Sequence, residues 1–115
     1  MEKIDYNNRR FVSVSNSESG EVSVETIFHY HQKDNFVWAT YEGGSIFFGT
    51  LIAKVSDDGS LDMRYQHLNR QGELMTGVCK SVPEILGDGH IRLHETWQWT
   101  CGDFSKGESV VEEVT

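Results

Sequence analysis

His29 and His31 form the single H-x-H pair of the chain, and that spacing sets two imidazoles on one face of a strand, where both could meet one metal ion. One known pattern of metal site that begins this way continues with a nearby Glu and a later His. Here Asp34, Asn35 and Phe36 follow, and Lys33 and Asp34 flank the pair, so the two rings read as surface histidines and no metal site is expected. A thiol–imidazole pair could be assembled from Cys79 or Cys101 with His67 or His94. Nothing local supports it, and both cysteines read as packing residues. Glu95, between Leu93 and Trp97 in an alternating run, is the most telling ionisable group. A carboxylate on an apolar, Trp-rich face must find hydrogen-bond donors, take up a proton or meet a ligand.

Serine-hydrolase elbows, phosphate-cradling loops and paired metal cysteines are absent, so no catalytic residue can be named and no cofactor is implied. The 115 residues fit one domain, 1–115, with 1–9 read as a flexible N-terminus. A net charge of −8 would repel nucleic acid and anionic lipid, so neither is an expected partner. Met1 to Arg10 hold no apolar stretch of a secretion signal and no run is long enough for a membrane-spanning helix, so a cytoplasmic protein with free thiols is expected.

The elements that must position these groups are strands. Period-two alternation recurs along most of the chain, as in Leu61-Asp62-Met63-Arg64-Tyr65-Gln66-His67 and Ile91 to Trp99, with no sustained helical period. Turn signals separate the runs: Glu18-Ser19-Gly20, Lys33-Asp34-Asn35, Gly43-Gly44, Asp57-Asp58-Gly59, Arg70-Gln71-Gly72 and Gly87-Asp88-Gly89. Most suit three-residue hairpin loops ending in a left-handed residue, and Gly43-Gly44 suits a two-residue loop. Eight strands follow, at 10–16, 22–32, 36–42, 45–55, 61–69, 73–85, 91–101 and 108–114. Short loops make sequence neighbours space neighbours, which predicts an all-β, eight-stranded antiparallel up-and-down meander barrel with little or no helix. The acidic end from Glu108 to Thr115 is either the closing strand or a frayed tail.

Turn type fixes register, so faces propagate from strand to strand. The inward face so derived holds Val12, Val14, Val22, Val24, Thr26, Phe28, Tyr30, Phe36, Trp38, Thr40, Glu42, Phe47, Gly49, Leu51, Ala53, Val55, Leu61, Met63, Tyr65, His67, Met75, Gly77, Cys79, Ile91, Leu93, Glu95, Trp97, Trp99 and Cys101. Gly49 falls opposite His67 and Gly77 between Tyr65 and Trp99, which makes room for large side chains in a small lumen. The two thiols fall about 13 Å apart, beyond disulfide reach. Outward, Ile27, Val37, Ala39, Tyr41, Ile46, Phe48 and Ile52 make an apolar patch.

Three functions remain open. The first is a small apolar or aromatic molecule bound in a lumen lined by Trp38, Tyr65, His67, Glu95, Trp97 and Trp99; the bland alternative is an internal network that satisfies Glu95. The second is an enzyme using Glu95 or His67 of that lumen as general acid or base. The third is a homodimer or other interaction module acting through Tyr41, Ile46 and Phe48.

Two segments carry a resemblance: Arg64-Tyr65-Gln66-His67-Leu68-Asn69 leading to Gly72-Glu73-Leu74-Met75-Thr76-Gly77, and Trp97 to Ser109. They resemble a family of small uncharacterised bacterial single-domain proteins, sometimes labelled N-acetylglutamate synthase, over nearly the whole chain. That label would imply acetyl transfer. Transferases of the usual type bind pyrophosphate at a helix N-terminus after a Gly-rich loop, and the sequence has neither. The architecture is more similar to calycin-type barrels, lipocalins, fatty-acid-binding proteins and avidins, and that similarity implies a small molecule in the lumen.

Overall fold

A computed structural model describes residues 4–114. Eight strands follow in order: β1 (Arg9–Asn16), β2 (Ile27–Lys33), β3 (Phe36–Gly43), β4 (Ile46–Val55), β5 (Leu61–Asn69), β6 (Leu74–Ile85), β7 (Ile91–Trp99) and β8 (Lys106–Val114). Each pairs antiparallel with the next, and β8 returns to β1, so the sheet closes as a meander barrel. No helix occurs among the described residues. The acidic C-terminal stretch is therefore the closing strand.

Alternation dictates the barrel's two faces. From β5 to β7 the expected register holds residue by residue: Gly49 faces His67, Tyr65 faces Gly77, Gly77 faces Trp99 and Cys79 faces Trp97. The turns explain the agreement. Ser56 donates to Ser60, Asn69 to Glu73 and Leu86 to His90, each closing three residues whose last is a glycine at positive φ (86° at Gly59, 83° at Gly72, 87° at Gly89). A glycine takes that left-handed conformation without a Cβ clash.

On β3 the faces are reversed from expectation. Val37, Ala39 and Tyr41 point inward and are buried, whereas Phe36, Trp38, Thr40 and Glu42 are exposed. Two irregularities cause this. The β2–β3 turn holds two residues, Asp34-Asn35, because Lys33 pairs with Phe36, and Asp34 itself takes the left-handed φ of 54°. In β4 an extra residue enters at Phe47: Ile46 pairs with Asn69 but Phe48 with Leu68. Such a bulge places Ile46 inward and leaves both Phe47 and Phe48 outside. Each irregularity shifts the pleat by an odd number, so the two cancel and Phe28 and Tyr30 of β2 face inward as expected.

On β1, Phe11 and Ser13 are the buried residues rather than Val12 and Val14, and Val14 is the extra residue of a bulge against β8. The hairpin expected at Glu18-Ser19-Gly20 is instead a long crossing, 17–26, so Val22 lies in the connection and Val24 is 70% exposed. Tyr6, inside the stretch read as a flexible N-terminus, is fully buried and donates to the Gly59 carbonyl at 2.6 Å. It extends an aromatic column down the barrel axis through Tyr30, Phe11, Phe28 and Tyr41, with neighbouring ring centroids 4.7–6.4 Å apart. Contacts of this kind add about 0.5–1.5 kcal/mol per pair beyond area burial.

Candidate functional site

One end of the barrel is filled by the column from Tyr6. The other end keeps a cavity of about 50 Å³, bordered by Phe28, Tyr41, Leu51, Met63, Tyr65, His67, Cys79, Glu95, Trp97 and Trp99 from the strands and by Gly20, Glu21 and Val22 from the 17–26 crossing. An eight-stranded barrel is just wide enough for its own side chains or one small ligand. What leaves space here is a set of glycines under rings. Any Cβ at Gly49 would strike the Tyr41 ring, at Gly77 the Tyr65 ring, and at Gly107 the Trp97 ring.

The crossing acts as a cap because its backbone and side chains are tied to the lumen wall. Trp99 Nε1 donates to the Ser19 carbonyl at 2.9 Å, and Asn16 Nδ2 donates to the Val22 carbonyl at 2.9 Å. Trp97 Nε1 donates to Asn16 Oδ1 at 3.2 Å, and Thr26 Oγ1 to the Gly43 carbonyl at 3.0 Å. Glu21 reaches back into the barrel: one carboxylate oxygen meets His67 Nε2 at 2.7 Å and the other accepts from Asn69 Nδ2 at 3.1 Å. His67 is buried, and its Nδ1 lies 2.9 Å from the Tyr41 hydroxyl. A neutral ring accepting from Tyr41 and donating to Glu21 satisfies both contacts. Both nitrogens of His67 are thereby engaged, which suits a strut between cap and wall better than a free general base.

Glu95 is half-buried on β7 and borders the cavity. Ser81 Oγ donates to one of its oxygens at 2.8 Å and Ser109 Oγ to the other at 3.1 Å. Burial pushes its carboxyl above the usual range, and the two serine bonds pull in the opposite direction. The donors that satisfy it are thus serines on β6 and β8, not the Tyr or Trp anticipated. Burial first, and then neighbouring groups that include Glu95, also hold the Tyr30, Tyr41 and Tyr65 phenols in their neutral form. Cys79, buried with its Sγ 3.7 Å from Ser81 Oγ, is held as a thiol by burial and by the Glu95 charge, which opposes any nucleophilic role. Cys101 is also free, with its Sγ 4.0 Å from Met75 Sδ.

Of the six lumen residues read from sequence, Tyr65, His67, Glu95, Trp97 and Trp99 border one cavity. Trp38 does not. The reversed face of β3 puts it outside, 42% exposed, with its ring stacked on His31 at 5.7 Å. Thr40 and Glu42, also expected inside, are exposed for the same reason. The expected partner surface changes likewise: Tyr41 and Ile46 are core residues at 2% and 0% exposure, and only Phe48 of the three is outside. The outer apolar surface of β2 to β4 consists instead of Ile27, Phe36, Trp38, Phe47, Phe48 and Ile52. His29 and His31 stand side by side on the outer face, 4.4 Å between centroids, and no group of three or more metal-ligating side chains occurs among the described residues. Sequence reading missed Glu21, Asn16 and Ser19. Their partners are 46 to 81 positions away, and spacing carries no signal for such contacts.

A closed, eight-stranded antiparallel meander with an aromatic, capped lumen is a barrel of the calycin and avidin type. The family described as avidin-like protein matches residues 4–114, and the chain belongs to that family. Comparison with curated proteins and with solved structures gives no match.

Proposed function

We propose that this protein is a binding barrel that holds a small molecule, or the small head of a larger one, in the capped lumen. The observation that carries the reading is the cavity itself, bordered by Glu95 and Tyr65 among aromatic rings. The Tyr65 hydroxyl has no hydrogen-bond partner among the described residues. A space of about 50 Å³ is well below the roughly 300–1,000 Å³ of drug-sized sites, so it takes a handful of non-hydrogen atoms unless the cap moves. Membership of the avidin-like family supports the same reading. Acetyl transfer finds no support, since the described residues contain no helix whose N-terminus could hold a pyrophosphate. Free Cys79 and Cys101 suit a cytoplasmic location, which belongs to the same proposal.

Native mass spectrometry of protein purified gently from cells tests the reading. The expected result is a reproducible mass excess that disappears on denaturation. A bare mass, together with no stabilisation by any member of a broad small-molecule panel, would refute it. A second reading is a homodimer, favoured by the exposed apolar side chains of β2 to β4. A native mass of twice the chain would support it.

A further inference from the structure

The polar groups of the lumen are unequally matched. The cavity is bordered by two carboxylates, Glu21 and Glu95, and by no lysine or arginine. The indole N–H groups of Trp97 and Trp99 are already committed, to the Asn16 amide and the Ser19 carbonyl. Each carboxylate takes one donor on each oxygen, Glu21 from the His67 ring and the Asn69 amide, Glu95 from two serine hydroxyls. An ionised carboxylate offers about four lone-pair sites, and one serine hydroxyl on each oxygen leaves half of them open. Neither serine brings a charge, so the desolvation of an ionised Glu95 is only partly offset within the chain. Around it stand the rings of Tyr65, Trp97, Trp99, Tyr41 and Phe28. Aromatic rings attract cations through their quadrupole, most strongly where water is excluded. An anion brought into the same space would meet two carboxylates and no lysine or arginine.

We propose that the head group bound in the lumen is a small protonated amine, seated among the aromatic rings with its N–H donors on the open side of Glu95. This rests on the lumen-binding reading above and specifies the chemistry of its ligand. Tyr65, whose hydroxyl is uncommitted, borders the same cavity and offers a further acceptor for the group's N–H donors. The net charge of −8 acts in the same direction at long range, drawing cations toward the molecule and slowing the approach of anions.

The test uses three solutes of four non-hydrogen atoms each: isopropylammonium, isopropanol and acetate, at constant ionic strength. The host is the full chain carrying Trp38→Phe, which removes the outer indole and leaves Trp97 and Trp99 as lumen reporters. Their fluorescence is expected to saturate with isopropylammonium in the millimolar range. Isopropanol is expected to bind at least tenfold more weakly, and acetate not at all. Glu95→Gln should weaken the cation at least tenfold and leave isopropanol unchanged. Equal or tighter binding of isopropanol or acetate overturns the amine assignment while leaving the lumen-binding reading intact. Failure of all three solutes overturns it too, and the lumen-binding reading then falls only if the native mass is also bare. The three-solute comparison needs no change in the lumen, so it decides the amine assignment even if Glu95→Gln folds poorly.

Discussion

Alanine at Gly49 and at Gly77 should have different consequences, and the difference follows from how firmly the overlying ring is held. Both glycines lie in regular strand, outside the positive-φ set, so alanine suits the backbone and by itself would stabilise by about 0.4–1 kcal/mol through the unfolded chain. At Gly49 the added methyl would strike Tyr41 and come within 2.8 Å of the His67 Cβ. Tyr41 also borders the cavity, but it is 2% exposed, stacked on Phe28 at 4.8 Å and hydrogen-bonded to His67, so its ring is pinned. Overpacking of this kind costs about 1–3 kcal/mol, and the pinned ring places it at the upper end. The net loss for Gly49→Ala is then about 2 kcal/mol, or a fall in Tm of roughly 8 °C at about 4 °C per kcal/mol. At Gly77 the three nearest atoms that the methyl would meet all belong to Tyr65, whose half-buried ring borders the cavity and has that space for a rotation. There the cost is about 1 kcal/mol, nearly cancelled by the backbone gain, and Tm should stay within about 4 °C of the parent. The same rotation fills the lumen, so Gly77→Ala should lose ligand retention in native mass spectra while staying folded. Differential scanning calorimetry on the two variants decides the matter. Equal costs, or a larger loss at Gly77, would refute the assignment of a pinned and a mobile ring.

Three further outcomes are expected. Burial raises the Glu95 pKa above its ordinary 4.5, so the unfolded chain ionises it first; the stability it contributes is complete below that value and is lost as pH rises through the folded pKa. Glu95→Gln should therefore gain in relative Tm as pH increases from about 4.5, and a pH-independent difference between the two proteins would contradict a raised pKa. Glu21→Ala removes the bonds to His67 and Asn69; it should cost about 1 kcal/mol, speed hydrogen exchange over 17–26 and red-shift Trp99 emission, whereas unchanged exchange would mean that the cap is held without it. Phe48→Asp should leave the fold intact and convert any dimer to monomer in sedimentation, while Ile46→Asp, one bulge residue away and buried, should unfold the chain.

The barrel is legible in the sequence wherever a glycine ends a three-residue turn. From Leu61 to Trp99 each loop sets a register, and period-two alternation carries it along the strand, so residue types and turn lengths alone group five of the lumen residues. Faces are illegible where a single residue changes parity without changing the pattern. Phe47 and Phe48 are equally apolar, and nothing in their types says that one is an inserted residue. Trp38 falls on the wrong face for that reason, since it sits between the bulge and the short Asp34-Asn35 turn. The cap is hidden for a different reason. Val22, Val24 and Thr26 alternate like a strand, but the Ser23 and Thr26 hydroxyls fold the segment on itself, with Ser23 N to Thr26 Oγ1 at 3.1 Å and Glu25 N to Ser23 Oγ at 3.2 Å. Local side-chain bonds of that sort compete with strand pairing and leave alternation intact.

The pairing of β8 with β1 means that the ladder of hydrogen bonds has no seam, and a ring of strands does not record where the chain was first threaded. Arg10 lies beside Val114, so a linker could lead from the end of β8 into the start of β1, and new ends could be opened in the exposed turn at Gly87 to Gly89, where nothing crowds the backbone. Such a rearranged chain would keep every strand neighbour and trade one short loop for another. For a binding protein this separates the address of the pocket from the order of the gene. The cap and the lumen would keep their geometry while the points of attachment to a surface, a tag or a second protein move to the far side of the sequence.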